Sequence, residues 1–369
     1  MDQTLKMDAA RPASGRPRLG FLGVGWIGCN RLESLRNSNL VEIAAVADPS
    51  AENRSQACRI APEARQCAGL EELLRMPLDG LVIATPSAQH ADQACMALEA
   101  GLPVFCQKPL ALNAASAREV IACARRNDRL LGVDLSYRYL KGIDRLRNMV
   151  NGGSIGKIFA VDLVFHNAYG PDKPWYYDAG AAGGGCVMDL GTHLVDLMLW
   201  FLNYPPLVHV NSHLYADGEP LGSGHAVENF AAVQILLQGG VTARLACSWH
   251  LHAGREAEIK VVFYGTRGGV CIRNIEGSFY RFQAEHFTGT RREIIAPESP
   301  DWWGAAAVDW AATLCRAKQY DARIESMVAV AEMLDAIYAA DPTASAFYRT
   351  SQGSDLSGGL FRYRVARIS

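Results

Sequence analysis

The sequence predicts an α/β protein in which a doubly wound parallel sheet is followed by an α+β domain with a large, mostly antiparallel open sheet. Two observations carry this prediction. Up to about residue 138, short apolar strands alternate with helical segments, as they do when helices connect parallel strands. Beyond that point, strand-like runs follow one another through short turns, which is typical of antiparallel pairing.

Length and composition indicate a globular protein of two domains. The chain has 369 residues, 49% hydrophobic and 20% charged, and is too long for one ordinary core. We expect a flexible arm over 1–17, a nucleotide-binding domain over 18–138, a second domain over 139–340 and a tail over 341–369. The net charge of -2 gives no electrostatic reason for nucleic acid or an anionic membrane as partner. No apolar run reaches the roughly 18 residues of a membrane span.

The cysteines and the first residues bear on the cellular compartment. The ten cysteines are scattered singly, without a C-x-x-C pair. In a chain of this length that pattern indicates reduced thiols in a cytoplasmic protein, and no disulfide framework or metal site. The first 17 residues contain no apolar core of a signal peptide.

The first predicted strand, 18–22, runs into a glycine-rich turn that precedes a helix. The turn consists of Gly23, Val24, Gly25, Trp26, Ile27 and Gly28. A G-x-G-x-x-G in this position binds a dinucleotide pyrophosphate through backbone N–H groups and the helix N-terminus. The next strand, 41–47, ends in Asp48, which is placed to bind ribose hydroxyls and to repel a 2′-phosphate. NAD is therefore the expected cofactor, with NADP possible through Arg54. A turn that binds nothing is the alternative.

Further strands predicted at 80–84, 103–106 and 130–133 are followed by polar residues at the sheet edge where such folds bind ligands. The residues at this edge are Thr85, Pro86, Gln107, Lys108, Ser136 and Tyr137. His90 opens a helix, where it could cap that helix or touch the cofactor. Lys108 is held between a buried strand and a proline, so it could polarise a substrate hydroxyl. A solvated surface lysine is the ordinary alternative.

In the second half, three glycines lead into an apolar run that ends at Asn203 and is predicted to be a helix. Asp189, His193 and Asp196 share one stripe of that helix, and Gly191 leaves room beside them. A core helix with satisfied polar groups is the alternative interpretation. We favour a catalytic face, because the first half supplies a cofactor to react with.

The other elements of the second half suggest a broad sheet and a pocket. Helices are predicted over 139–151, 305–318 and 323–340, and strands over 157–166, 207–215, 228–237, 241–250, 257–264, 269–273 and 279–282. One face of so broad a sheet needs cover, so part of it is expected to be a subunit interface. His166 and Trp175 lie between the first of these strands and the glycine-rich helix. They are candidates for a substrate pocket, although core or interface positions are equally consistent with the pattern.

Four stretches, in this order, resemble the Gfo/Idh/MocA (glucose–fructose oxidoreductase, inositol dehydrogenase, MocA) family. They are the glycine-rich turn, Thr85-Pro86-Ser87-Ala88-Gln89-His90, Gln107-Lys108-Pro109 and the glycine-rich helix over 184–196. The resemblance covers about residues 18–340. It implies a Rossmann domain, a homodimer or homotetramer, and NAD(P)-dependent oxidation of sugars, inositols or related polyols. The catalytic lysine, aspartate and histidine of the family fall on Lys108, Asp189 and His193. Gln107 departs from the family, which usually has glutamate there.

Three functions follow from this reading. The first is a dehydrogenase, in which His193 would take the proton of the substrate hydroxyl and Lys108 would hydrogen-bond the same oxygen. Asp189 would position the substrate. The sequence is equally consistent with Lys108 as the base in place of His193. An NAD-dependent glycosidase or lyase would use the same transient oxidation. A non-enzymatic nicotinamide-binding regulator is the third possibility, and the acid–base residues argue against it.

Overall fold

The computed structural model describes residues 15–222, 227–298 and 302–343. The arm predicted over 1–17 and the tail predicted over 341–369 lie outside these ranges, apart from three residues of each. Within the described ranges the chain forms one sheet of six strands and one of nine. No helix in these ranges is long and apolar enough to cross a membrane.

The first half of the chain forms the parallel sheet. Its elements in chain order are β1 (Arg18–Leu22), α1 (Trp26–Ser38), β2 (Glu42–Ala47), α2 (Ala51–Ile60), β3 (Arg65–Cys67), α3 (Leu70–Leu74), β4 (Gly80–Ile83), α4 (His90–Glu99), β5 (Val104–Cys106), α5 (Ala114–Arg126) and β6 (Leu131–Val133). The strand order is β3-β2-β1-β4-β5-β6, and every pairing is parallel. The order reverses between β1 and β4, and a ligand crevice lies at that point in such sheets.

The second half forms the larger sheet. Its elements are α6 (Ile143–Asn151), β7 (Ile158–Asn167), α7 (Ala179–Ala182), α8 (Thr192–Phe201), β8 (Leu207–Ala216), β9 (Glu219–Pro220), β10 (Phe230–Leu237), β11 (Val241–Ser248), β12 (Ala257–Gly265), β13 (Gly269–Asn274), β14 (Phe282–Thr288), β15 (Arg291–Ala296), α9 (Ala305–Leu314) and α10 (Ser326–Ala340). The order is β15-β14-β13-β12-β7-β11-β10-β8-β9, and β7 pairs with β11 in parallel while the other pairings are antiparallel. The predicted fold class is confirmed.

The helix predicted over 305–318 ends at Leu314. Two further elements differ from their predicted bounds for local reasons. The strand predicted over 279–282 was wrong, because the Ser278 hydroxyl accepts hydrogen bonds from the N–H groups of Tyr280 and Arg281 and turns the chain there. β14 starts only at Phe282. The helix predicted from residue 139 starts at Ile143, because a 3-10 turn ends at Tyr139 and Gly142 has a left-handed φ of 84°.

One late helix returns to the first sheet. Trp310 of α9 packs on Phe105 of β5, with 5.6 Å between the ring centroids. Gly80 and Gly132 leave the space that this indole fills, since a Cβ on either glycine would press into it. A helix from the second half of the chain, α9, therefore completes the core of the first sheet. The domain boundary predicted at residue 138 stays a prediction.

A buried carboxylate fixes the glycine-rich entry to the segment before α8. Glu228 accepts hydrogen bonds from the N–H of Gly185 at 3.0 Å and from that of Val187 at 2.9 Å. The hydroxyl of Tyr338, in α10, donates to the same carboxylate at 2.8 Å. These three donors satisfy a charged group that has no exposed surface.

Glycine is required at this entry because the supporting groups fill the space. A Cβ on Gly185 would overlap the backbone oxygen of Glu228, and one on Gly184 would overlap the hydroxyl of Tyr338. The chain then makes a π turn, Val187–Gly191, and continues as α8. The single helix predicted here is therefore two helical segments, whose first turn is set by Glu228.

Gly185→Ala should lower the free energy of unfolding by at least about 2 kcal/mol, because backbone atoms must move to admit the methyl group. Urea denaturation measures this change. The matched control is Gly222→Ala, where a Cβ meets nothing within 4 Å and the change should stay within about 0.5 kcal/mol. Equal stability of both variants would show that the entry can adjust without cost.

Candidate active site

The glycine-rich turn is packed on one side and open on the other. Gly23 has a φ of 83°, and a Cβ there would meet the backbone of Ala84, which follows β4. A Cβ on Gly28 would overlap the carbonyl of Gly23, whereas one on Gly25 would meet nothing within 4 Å. α1 begins directly after Gly25, so its first N–H groups face this open side. These residues fit a dinucleotide pyrophosphate.

Asp48 lies at the end of β2 beside the same turn. Its carboxylate accepts hydrogen bonds from the backbone N–H groups of Val24 and Ser50, both at 2.9 Å, and from the side-chain amide of Asn53 at 3.1 Å. A carboxylate offers about four acceptor positions, so one is left for a ribose hydroxyl. Arg54 donates to the backbone oxygen of Asp48, at 2.5 Å, and not to its carboxylate.

An ion pair joins the two halves of the site. The ammonium of Lys108 donates to the carboxylate Oδ1 and to the backbone oxygen of Asp189, both at 2.7 Å. The indole N–H of Trp249 donates to the other carboxylate oxygen at 3.2 Å. Both side chains of the pair keep some exposed surface, 14% for Lys108 and 17% for Asp189. One of the three ammonium N–H groups of Lys108 is left for another acceptor.

His193 lies next to this pair. Its ring centroid is 4.7 Å from that of Tyr137. Burial holds the pKa of His193 well below its ordinary value, and the positive charges of Lys108 and Arg31 lower it further. The imidazole is therefore neutral at physiological pH and has a nitrogen able to accept a proton.

Two tyrosines near the pair are poor candidates for a base. The pKa of Tyr137 is raised, mainly by burial and also by the charge of Asp189. Burial and Asp189 raise the pKa of Tyr176 in the same way. Both phenols therefore stay protonated. Tyr137 instead belongs to an aromatic cluster that packs behind His193 and includes Phe165, Phe282 and Trp302.

The residues predicted at the edge of the first sheet separate into two groups. Thr85 and Pro86 follow β4 beside Gly23, and Gln107 directly precedes Lys108, so their contact with a cofactor stays a prediction. The sequence suggested that His90 caps its helix or touches the cofactor, and the structure shows a third arrangement. It is buried, with one ring nitrogen 2.7 Å from the Pro109 oxygen and the other 2.8 Å from the Thr85 oxygen. It therefore links the segments that follow β4 and β5, and presents no free nitrogen to the crevice.

The expectation that His166 lines the substrate pocket was wrong. Successive residues of a strand face opposite sides of a sheet, and Phe165 is the one that faces Tyr137. His166 points to the other side, where it lies 2.8 Å from the hydroxyl of Ser248 and stacks on Phe230. The error was one of strand register, which alternation in the sequence did not settle.

Trp175, in contrast, belongs to a group of aromatic rings beside the ion pair of Lys108 and Asp189. It stacks on Tyr176, with 3.8 Å between the ring centroids, and Tyr176 packs edge-on against Trp249. Since Trp249 bonds Asp189, these rings form one wall beside the ion pair. Whether Trp175 touches the substrate stays a prediction.

Asp196 does not join the catalytic face that the sequence suggested. Arg138 donates to both of its carboxylate oxygens, at 2.9 and 2.5 Å, and also to the hydroxyl of Tyr204 at 2.9 Å. Asp196 is buried in this pair. It is therefore a structural partner, as expected for a polar group on the core side of a helix.

Sequence reasoning missed Trp249, which bonds Asp189, and Asp134, whose carboxylate accepts hydrogen bonds from Arg31 and from the side-chain amide of Gln107. Trp249 follows β11, and nothing in its local sequence connects it to Asp189. Asp134 follows β6, so the rule that identified Lys108 at a strand end also applied to it. That position was the available signal, although Ser136 and Tyr137 were selected instead.

Two family models match successive parts of the chain. Residues 18–135 match the family model described as the oxidoreductase family, NAD-binding Rossmann fold. Residues 143–271 match the model described as the GFO/IDH/MocA C-terminal domain. Together the two models cover most of the described chain.

Individual relatives are more distant. The chain is 32% identical over 191 residues, 52% of its length, to the rhizopine catabolism protein MocA of Rhizobium meliloti, and covers 59% of that protein. It is 26% identical over 234 residues, 60% of its length, to D-glucoside 3-dehydrogenase of Escherichia coli strain K12, and covers 64% of it. It thus spans less than two thirds of these curated relatives. The structure of GenD2 from gentamicin A biosynthesis, in complex with NAD, is similar with a TM-score of 0.74 and 25% identity, covering 88% of this chain and 94% of that one.

The lowered pKa of His193 predicts acid-dependent destabilisation. In the unfolded chain this histidine takes a proton below about pH 6.5, and in the folded chain it does so only at much lower pH. Between pH 7 and 5 the free energy of unfolding should therefore fall, with about 1 to 2 kcal/mol of the loss due to His193. Urea denaturation of His193→Asn should show a flatter dependence. His209→Asn removes an exposed histidine, and a profile as flat as that of His193→Asn would contradict the assignment.

Proposed function

Since the chain belongs to the Gfo/Idh/MocA oxidoreductase family, we propose that it transfers a hydride between a nicotinamide cofactor and a secondary hydroxyl, or the matching ketone, of a sugar, inositol or related polyol. Its first domain is the NAD-binding Rossmann domain of the family, so the predicted cofactor class is confirmed. The observation that carries the proposal is the meeting of Lys108, Asp189 and His193 at the carboxyl edge of that domain.

Each side chain has a separate part in the proposed reaction. The bound nicotinamide supplies the hydride acceptor or donor. Neutral His193 accepts the proton of the substrate hydroxyl, and returns it in the reverse direction. The third N–H of Lys108 hydrogen-bonds the same oxygen and stabilises the negative charge that develops there.

Asp189 positions Lys108 in this scheme. Its carboxylate is bonded on one side by Lys108 and on the other by Trp249, so it fixes the direction of the ammonium. Lone pairs not used by these two donors are left for a substrate hydroxyl. The aromatic wall of Trp175 and Tyr176 then offers a flat apolar surface for the C–H face of a sugar or cyclitol ring.

We also propose that the protein is a cytoplasmic homo-oligomer. One face of the nine-stranded sheet is covered by α8 and α10, as the contacts of these helices with β7 and β8 indicate. The other face carries polar groups, for example Asp162, which is bonded by both Arg244 and Tyr264. Such a face is wide enough for a second copy, and its ion pairs would give the contact a defined register.

Removal of either proton-handling group should slow the chemical step. Lys108→Ala and His193→Ala should each lower kcat by about 10²-fold or more, the usual range for general acid–base groups. Their NAD affinity should change little, because the pyrophosphate and ribose contacts lie elsewhere. Absorbance of the reduced nicotinamide, measured over a panel of sugars and cyclitols with NAD, follows the reaction.

The matched control for this experiment is Lys157→Ala, which removes an exposed lysine just before β7 and should leave kcat unchanged. Near-normal turnover in His193→Ala would remove that residue from the mechanism and leave Lys108 as the base. Cleavage of a glycoside without net reduction of NAD would instead support the glycosidase alternative.

The carboxylate of Asp48 should favour NAD over NADP. We expect NAD to bind at least about tenfold more tightly, on the order of 1.4 kcal/mol, because a 2′-phosphate would be repelled by this carboxylate. Fluorescence titration is suited to the measurement, since Trp26 lies in the glycine-rich turn and is 59% exposed. Asp48→Asn should narrow the difference. Equal binding of both nucleotides to the wild type would show that Arg54 dominates the pocket.

A further inference from the structure

The backbone of Lys108 is held by the residue before it. The side-chain oxygen of Gln107 accepts a hydrogen bond from the N–H of Lys108 at 2.8 Å. The other end of that amide, Nε2, donates to Oδ2 of Asp134 at 3.0 Å. The guanidinium Nε of Arg31 donates to this same oxygen at 2.5 Å. A chain of hydrogen bonds therefore runs from Arg31 to the backbone of Lys108.

The charged members of this chain are buried. Arg31 is 3% exposed and Asp134 is 1% exposed. Arg31 lies in the first half of α1, the helix that follows the glycine-rich turn, and Asp134 follows β6 at the sheet edge. The other carboxylate oxygen, Oδ1, has no hydrogen-bond partner among the residues that the structure describes. The whole pairing of Asp134 thus runs through the one oxygen that Arg31 and Gln107 share.

This carboxylate determines which way the amide of Gln107 points. An amide can be turned end for end with little change of shape, so its orientation depends on its neighbours. A carboxylate only accepts hydrogen bonds, and it takes the NH₂ end. The N–H of Lys108 only donates, and it takes the oxygen end. Only one orientation satisfies both neighbours, and Arg31 keeps the carboxylate in place.

We propose that Asp134 is a positioning residue for Lys108, and that positions 107 and 134 together accommodate a single carboxylate. The proposal rests on the proposed function in one respect, namely that Lys108 takes part in the reaction. Its basis is geometric. A glutamate at position 107, the usual residue of the family, would place a second carboxylate oxygen about 3 Å from Asp134, with one buried arginine to pair with both.

Among the residues that the structure describes, the ion pair of Asp134 is the one with Arg31. The charge of Asp134 also affects two other titratable groups, Cys106 of β5 and Tyr139 after β6. Burial raises the pKa of both the Cys106 thiol and the Tyr139 phenol, and the negative charge of Asp134 adds to both shifts. Neither group supplies a positive charge.

The test is a cycle of three variants, namely Gln107→Glu, Asp134→Asn and the double variant that exchanges acid and amide. Each single variant should lower kcat about tenfold or more through misplacement of Lys108, and in Asp134→Asn, at a residue not predicted to contact the cofactor, the dissociation constant of NAD should change less than about threefold. Each should also lower Tm. The double variant should recover kcat to within about threefold of the wild type. The effects of the two substitutions on kcat are thus expected to be far from additive. The Tm deficit of Gln107→Glu should shrink as pH falls, because protonation of one carboxyl removes the repulsion.

Gln66→Glu is the matched control, since it makes the same chemical change at an exposed position of the same sheet and should alter neither kcat nor Tm. The proposal would be overturned if Gln107→Glu left kcat and Tm unchanged. It would also be overturned if the loss of kcat in the double variant equalled the combined losses of the two single variants. A Tm deficit that does not depend on pH would overturn it as well, because it would indicate a packing effect. If the wild type oxidises no substrate of the panel, the proposed function fails, while the Tm cycle still decides whether positions 107 and 134 share one carboxylate.

Discussion

The ion pair between Lys108 and Asp189 is the contact on which the rest of the site depends. It joins the carboxyl edge of the first sheet to the helical segment that packs on the second sheet. Because the ammonium also bonds the backbone oxygen of Asp189, it fixes the position of the turn as well as that of the side chain. Loss of either partner would leave the other charge partly buried without a counter-charge.

Each partner of this pair is held from behind by a buried carboxylate. Glu228 fixes the N–H groups at the start of the turn that carries Asp189. Asp134, through Gln107, fixes the backbone of Lys108. The donors to both carboxylates come largely from other elements of the fold, and buried hydrogen bonds between distant segments favour one arrangement of those segments. Rigid support on both sides keeps a pair of flexible side chains in one geometry.

The sequence predicted what depends on local pattern. The strand that leads into Gly23 and the position of Lys108 after β5 both follow from spacing and residue type, and the structure shows both of them. It failed for features set by distant partners. His166 and Phe165 are adjacent, and only the packing of the second sheet decides which faces the site. Trp249 bonds Asp189, 60 positions earlier in the chain, and Glu228 bonds Gly185, 43 positions earlier.

The positive charges around His193 have two opposing effects on the proposed reaction. The ammonium of Lys108 stabilises negative charge on a substrate oxygen, and it also disfavours a proton on the neighbouring imidazole. His193 is consequently ready to accept a proton but holds it weakly. Since the imidazole keeps some exposed surface, the proton can pass on to solvent once the alkoxide charge has been removed by hydride transfer. The two effects therefore oppose each other in the proposed proton transfer, because the cations stabilise the oxygen that loses the proton and weaken the imidazole that takes it.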